Sequence, residues 1–174
     1  MKRFLCFLPI FLLVSLAYAE DVKPLAHADI MNASGEKVGT VIFYPKEGDL
    51  HMDLNITNLP LSPGEHGLHI HEVGKCDAPD FKSALAHFNP AGKKHGLEAV
   101  EGHHAGDLPN ILLGEDGKAD MKIFNRTVTL DEGLDSLFHE GGTSIVIDEK
   151  ADDYKTDPDG NSGKHVACGV IEKS

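Results

Sequence analysis

The chain is short of positive charge, of helical periodicity and of the common catalytic motifs. Its 174 residues hold 16 Lys and Arg against 28 Asp and Glu, a formal net charge of −12. Nucleic acids and anionic membranes are bound through cationic surface, so neither is an expected partner. The chain has no serine or cysteine nucleophile motif and no glycine-rich phosphate loop, and nothing points to acyl or phosphoryl transfer by those routes. No linker, repeat or low-complexity tract divides it. Its one long apolar run, residues 4–16, is shorter than the roughly 20 residues of a bilayer-spanning helix.

That run has the marks of an export signal. Lys2 and Arg3 precede it and the small-residue site Ala17-Tyr18-Ala19 follows. A signal peptide over residues 1–19 and a mature domain over 20–174 are expected, in the periplasm or outside the cell and free of the membrane after cleavage. Cleavage leaves 155 residues, enough for one domain with a proper core. It also leaves 14 basic and 28 acidic residues, a net charge of −14. Of three cysteines, Cys6 lies in the leader and Cys76 and Cys168 remain. An even count in an exported chain reads as a disulfide, with two buried thiols as the alternative.

The mature chain reads as short strands between turn residues. Residues 38–44 are β-rich and end at Pro45. Residues 50–56 alternate, with Leu50, Met52, Leu54 and Ile56 on one face and His51, Asp53 and Asn55 on the other. Residues 67–73, 121–128, 144–147 and 165–171 are further candidates. Residues 77–108 form a long loop rich in Gly, Pro, His and Ala and judged to lack apolar anchors, and residues 148–164 form a second. Long loops in a compact domain are usually functional. The expected class is all-β, a Greek-key barrel or sandwich of about eight antiparallel strands with two long functional loops.

Seven of the eleven histidines fall between His66 and His104. His69 and His71 sit two apart on a strand, so their rings share a face while Leu68 and Ile70 point to the core. His87, His95 and His104 follow on the first loop, with Asp107 three residues after the last. Several imidazoles with one carboxylate are a common zinc shell, and imidazole also suits copper. A loop without apolar anchors is expected to fold around such a metal. His27, His66, His103 and His139 have no partner at a telling spacing and are expected at the surface.

These segments resemble copper/zinc superoxide dismutase. The likeness is carried by Gly67-Leu68-His69-Ile70-His71-Glu72, His87-Phe88-Asn89-Pro90, Lys94-His95-Gly96, His104-Ala105-Gly106-Asp107-Leu108, Glu149-Lys150-Ala151-Asp152-Asp153 and Ala167-Cys168-Gly169-Val170-Ile171. It spans essentially the whole mature chain, and the leader and cysteine spacing are similar to the exported bacterial forms. The resemblance implies copper on His69, His71 and His87, and zinc on His87, His95, His104 and Asp107, with the His87 ring bridging the two. It implies that Asp152 hydrogen-bonds one ligand of each metal, and that Cys76 and Cys168 form a disulfide. The implied substrate is the superoxide anion, converted to oxygen and hydrogen peroxide. A homodimer is compatible with it, since members of the family pair through different faces or not at all.

The chain departs from the family pattern on the copper side. Asp148 stands where the pattern has a fourth copper histidine. His165 stands where it has an arginine that guides superoxide, and Asp159 where it has a channel threonine. A carboxylate is a harder ligand than imidazole and disfavours Cu(I). A histidine, unlike arginine, is mostly neutral near pH 7. Lys155 and Lys164 are the cations placed to offset the loss, and His165 is also a candidate replacement ligand. Two functions follow. One is a dismutase whose copper site is altered and whose turnover is reduced. The other is a non-enzymatic, zinc-stabilised relative that binds or buffers copper.

Overall fold

The computed structural model describes Lys23 and residues 25–174; the leader expected over residues 1–19 lies outside them. Ten strands run in chain order: β1 (Ala26–Asn32), β2 (Lys37–Lys46), β3 (Asp49–Ile56), β4 (Gly64–His66), β5 (Leu68–His71), β6 (Ile111–Leu113), β7 (Ala119–Asn125), β8 (Ser144–Asp148), β9 (His165–Val170) and β10 (Glu172–Lys173). An eight-stranded antiparallel sheet follows the order β5-β8-β9-β1-β2-β3-β7, with β10 paired to β1, and β4 and β6 form a separate ladder. The only helical element among the described residues is a 3₁₀ turn at Lys82–Ala84. None is long and apolar enough to cross a membrane. The all-β expectation holds.

Half-buried strands show the expected alternation. Leu50, Met52, Leu54 and Ile56 of β3 are buried while Asn55 is exposed, and they pack with Ala28, Ile30, Val41 and Phe43 in one core. The β1 strand escaped the sequence reading because its inward residues Ala26 and Ala28 are small and give a weak apolar signal. Strands β4 and β6 escaped it because they are three residues long. Strand β7 begins and ends earlier than expected. The Asn125 side-chain oxygen accepts N–H bonds from Thr127 at 2.7 Å and Val128 at 3.1 Å, which turns the chain.

At the β5–β8 end both sheet faces are covered. Leu68, Ile70, Ile145 and Ile147 face the core, and His69, His71 and Val146 on the opposite face are buried as well. The cover is the first long loop. It hydrogen-bonds along β5, from Phe88 N–H to Ile70 O (2.8 Å), from Ile70 N–H to Gly106 O (2.8 Å) and from Glu72 N–H to Ala86 O (2.9 Å). A β-carbon at position 106 would overlap the Ile70 carbonyl, so this approach requires glycine.

The loop does not lack anchors, contrary to expectation. Phe81, Ala84, Phe88, Ala105 and Leu108 are all buried. They escaped notice because they are scattered without period among polar residues, and only the folded loop gathers them. Cys76 and Cys168 are disulfide-bonded, tying this loop to β9. The sulfurs pack in a small cluster with Phe81, Ala84 and Val146.

Candidate metal centre

Strand β5 presents His69 and His71, the first loop presents His87, His95, His104 and Asp107, and the second loop presents Asp152. All seven are buried. The His87 ring lies in the middle. It stacks on His69 with centroids 4.0 Å apart and meets the edges of His71, His95 and His104 at 5.0, 5.2 and 5.6 Å. The two groups of residues inferred from the sequence are therefore adjacent and joined through one imidazole.

On the first-loop side, three ring nitrogens surround one oxygen. The Nδ1 atoms of His87, His95 and His104 are 3.0, 3.1 and 3.2 Å from Asp107 Oδ1. Those of His95 and His104 are buried with no aligned hydrogen-bond partner. Four ligands around tetrahedral zinc, each about 2.0 Å away, would stand about 3.3 Å apart. The donor set and its spacing fit zinc. His69 also brings a nitrogen to within 4.8 Å of ligand atoms on His87, His95 and Asp107. Both His69 nitrogens, however, face other carboxylates, Asp148 Oδ2 and Asp152 Oδ2, each at 2.9 Å. His104 is the better fourth member of the zinc set.

The carboxylates are held charged. Burial opposes ionisation of Asp107, but the imidazoles of His104, His87 and His95 and the Gly96 N–H outweigh it and keep its pKa well below the carboxylate range. Burial likewise opposes Asp152, and His69, His95 and the Tyr154 N–H hold it well below as well. Burial pulls His95 down, yet Asp107 and Asp152 push its pKa up to about 10. Burial lowers His87 to about 4 despite Asp107. A zinc ion must therefore displace the His95 proton. Adding zinc to the metal-free protein near pH 7.5 is expected to release about one proton per zinc, read with an indicator dye in weak buffer. Release should fade as the pH passes about 10. Zinc uptake without proton release would show that His95 is already neutral.

On the β5 side, His71 Nδ1–H donates to Leu85 O at 2.8 Å. That bond settles the tautomer and leaves Nε2 with a free lone pair, buried and without partner. Burial, then the nearby His87 and His165, keeps His71 well below the usual imidazole pKa. The Asp148 carboxylate, also buried, sits with Oδ2 beside His69 Nδ1. Burial works against a charged His69, but Asp148 and Asp152 overcome it and raise its pKa. His165, half-buried, places its ring 4.9 Å from that of His71. These imidazole and carboxylate donors fit a copper ion.

Asp152 links the halves, with Oδ2 2.9 Å from His69 Nε2 and Oδ1 2.9 Å from His95 Nε2. Three supporting residues were not found from the sequence: Asn110 and Gly160 meet Asp152 itself, and His66 holds the backbone where the second loop begins. Asn110 accepts the Asp152 N–H at 2.9 Å and donates to its carbonyl at 3.0 Å. Gly160 has φ +64°, and a β-carbon there would overlap the Asp152 carboxylate. His66, expected at the surface, is buried. Its Nε2 lies 2.9 Å from Ser62 O, and its Nδ1 is 3.2 and 3.0 Å from the carbonyls of Asp148 and Glu149. The Pro109-Asn110 and Gly160-Asn161 pairs are too common to single out, and Gly64-Glu65-His66 carries no spacing signal. Of the lysines expected to add positive charge, Lys155 is paired with Glu98 at 3.0 Å and Lys164 is exposed. Asp159 is exposed as well.

Residues 37–171 match the copper/zinc superoxide dismutase (SODC) family. The copper/zinc superoxide dismutase 1 of Aquifex aeolicus is 49% identical over 161 residues, covering 92% of this chain and 94% of that one. A superoxide dismutase-like protein of Bacillus subtilis is 42% identical, over 83% of this chain and 74% of its own. Among solved structures, that of a SOD-like protein from Bacillus subtilis superposes with a TM-score of 0.78 at 39% identity, covering 83% of this chain and 96% of its own. The clock protein EA4 superposes with a TM-score of 0.71 at 32% identity, over 90% and 98%. By these similarities, spread over nearly all of the described residues, the chain belongs to the copper/zinc superoxide dismutase family.

Proposed function

We propose that residues 20–174 form an exported dismutase, cleaved from a leader over residues 1–19, that converts superoxide to oxygen and hydrogen peroxide at an altered copper/zinc site. The observation that carries this is the position of His87 between two ligand groups, with Nδ1 3.0 Å from Asp107 Oδ1 and its ring against both His69 and His71. Zinc would be held by His87, His95, His104 and Asp107. Copper would be held by His69, His71 and His87, with Asp148 in the place of the fourth histidine. Asp152 orients His69 and His95 from outside the metals.

Copper, when bound, supplies the one-electron chemistry, whereas zinc has none and serves structure. The protein's part is to fix the donors. His71 is locked with Nε2 free by its bond to Leu85 O. The low pKa of His87, about 4, leaves its ring neutral at pH 7 with one nitrogen free to ligate; serving both metals at once would require loss of the remaining N–H proton as well. The disulfide agrees with an oxidising compartment, the periplasm or the exterior.

The test is superoxide turnover and metal content of the protein loaded with both metals, beside the Asp148→His/His165→Arg variant. The wild type should hold one zinc and one copper and turn over superoxide. The variant should be at least about tenfold faster, since a lost ligand and lost steering are each worth about that factor or more. A second reading, a zinc-stabilised relative that binds or buffers copper without turnover, is favoured by the Asp148 carboxylate against His69. Bound copper with no turnover in the wild type, gained in the variant, would establish it instead.

A further inference from the structure

Three residues on the β5 side of the metal centre each hold a buried polar atom without a hydrogen-bond partner: His71 Nε2, Asp148 Oδ1 and His165 Nδ1. Buried polar atoms are nearly always paired, and a group left unpaired calls for an explanation such as a missing ion. Strand register and ring contact link their residues in turn. His165 stands opposite Asp148 in the β8–β9 register, beside a shift in that register at Ile147/Asp148. Its ring meets that of His71 edge-on at 4.9 Å. Asp148 in turn has its other oxygen, Oδ2, 2.9 Å from His69 Nδ1. His71 cannot satisfy its Nε2 by changing tautomer, because Nδ1 must carry the proton it donates to Leu85 O.

Resting on the dismutase-like metal site above, we propose that His165 is a metal ligand. Its Nδ1 joins His69, His71 and His87 around the copper position, with the Asp148 carboxylate as the oxygen donor beside them. The chemistry suits the ion. Imidazole with carboxylate is a donor set for Cu(II), which tops the affinity order of the divalent first-row metals. The position also suits the ligand. The imidazole that β8 lacks at Asp148 is offered by β9 from the directly paired residue. A residue serving only as a guide for an incoming anion has no reason to hold a nitrogen buried and unpaired against a ligand ring. One bound as a ligand does.

The experiment uses the zinc-loaded protein and adds Cu(II) in competition with a chelator of known affinity, with electron paramagnetic resonance spectra of each complex. The variants are His165→Ala, the bulkier His165→Gln, Asp148→His, and Asp148→His/His165→Ala. His165→Ala and His165→Gln should each weaken Cu(II) binding about tenfold or more, by analogy with the 10–100-fold cost of disturbing metal-site partners. Each should also remove a nitrogen coupling from the spectrum, with zinc content unchanged as the sign of an intact fold. Adding His165→Ala to Asp148→His should change affinity less than about threefold, because the new imidazole on β8 supplies the missing nitrogen. Unchanged affinity and spectrum in both His165 variants would overturn the proposal while leaving the copper site standing. A zinc-replete wild type that takes up no Cu(II) would overturn both the proposal and the function it rests on.

Discussion

Replacing Asp107 by alanine is expected to abolish zinc binding and to destabilise even the metal-free fold by about 3–5 kcal/mol, the cost of breaking a buried charge network by removing one partner. Asp107 Oδ1 is the meeting point of three Nδ1 atoms. Its Oδ2 accepts the N–H of Gly96 at 2.9 Å and of His104 at 3.1 Å. The variant therefore loses a ligand, a counter-charge and two loop-closing hydrogen bonds together. For a domain of this size the melting temperature should fall by about 10 °C.

The deficit carries a pH signature. The pKa of Asp107 is depressed in the folded state, so its contribution is present above the unfolded carboxylate value and is lost as the pH falls below it. The pKa of His95 is raised to about 10, so its contribution is present below the unfolded imidazole value and is lost as the pH rises toward 10. The gap between wild type and Asp107→Ala, both metal-free, should be widest between about pH 4 and 6.5, the two unfolded-state values. It should narrow on either side. Urea unfolding across that range measures it. A gap that does not vary with pH would mean that Asp107 acts through packing rather than charge.

Removing the disulfide is expected to cost about 4–5 kcal/mol on the chain-entropy model, because it closes a long loop. The bridge joins residues 92 apart in sequence. Cys168 lies inside the sheet, paired with Met31 on one side and Val146 on the other, whereas Cys76 belongs to the loop that covers the metal centre. The Cys76→Ala/Cys168→Ala protein should unfold at a lower denaturant concentration with a steeper slope, because the unfolded chain, no longer cross-linked, exposes more surface. Hydrogen exchange should speed up around residues 76–86, which include Leu85, the acceptor that orients His71. A loss below about 1 kcal/mol would show that Phe81 and Ala84 seat the loop without help, against the chain-entropy figure.

Much of the site was legible because its spacing is local. His69 and His71 share a strand face by the two-residue period of β structure, opposite Leu68 and Ile70 on the core face; their burial comes from the first loop laid over that face. Strand β3 was legible for the same reason. What was not legible depends on contacts between distant segments. His66 has nothing in its own stretch to mark it as buried; its partners include the carbonyls of Asp148 and Glu149, more than eighty residues away. Asn110 is an ordinary polar residue until the second loop brings Asp152 to it. Phe81, Ala84 and Phe88 have no period because they anchor a loop, so their burial is set by the sheet they fold against rather than by their neighbours in sequence.

The sequence by itself determined the fold class, the family likeness and the membership of the histidine cluster, since alternation, residue chemistry and short spacings are written locally along the chain. Only the tertiary structure decided how the donors proposed for copper are arranged. Asp148 and His165 are seventeen positions apart, and each alone reads as the loss of a familiar residue. The antiparallel pairing of β8 and β9 sets them opposite one another, with His165 against His71 and unpaired atoms on all three. Strand register, which joins residues remote in sequence, turns two separate departures into one neighbourhood of donors.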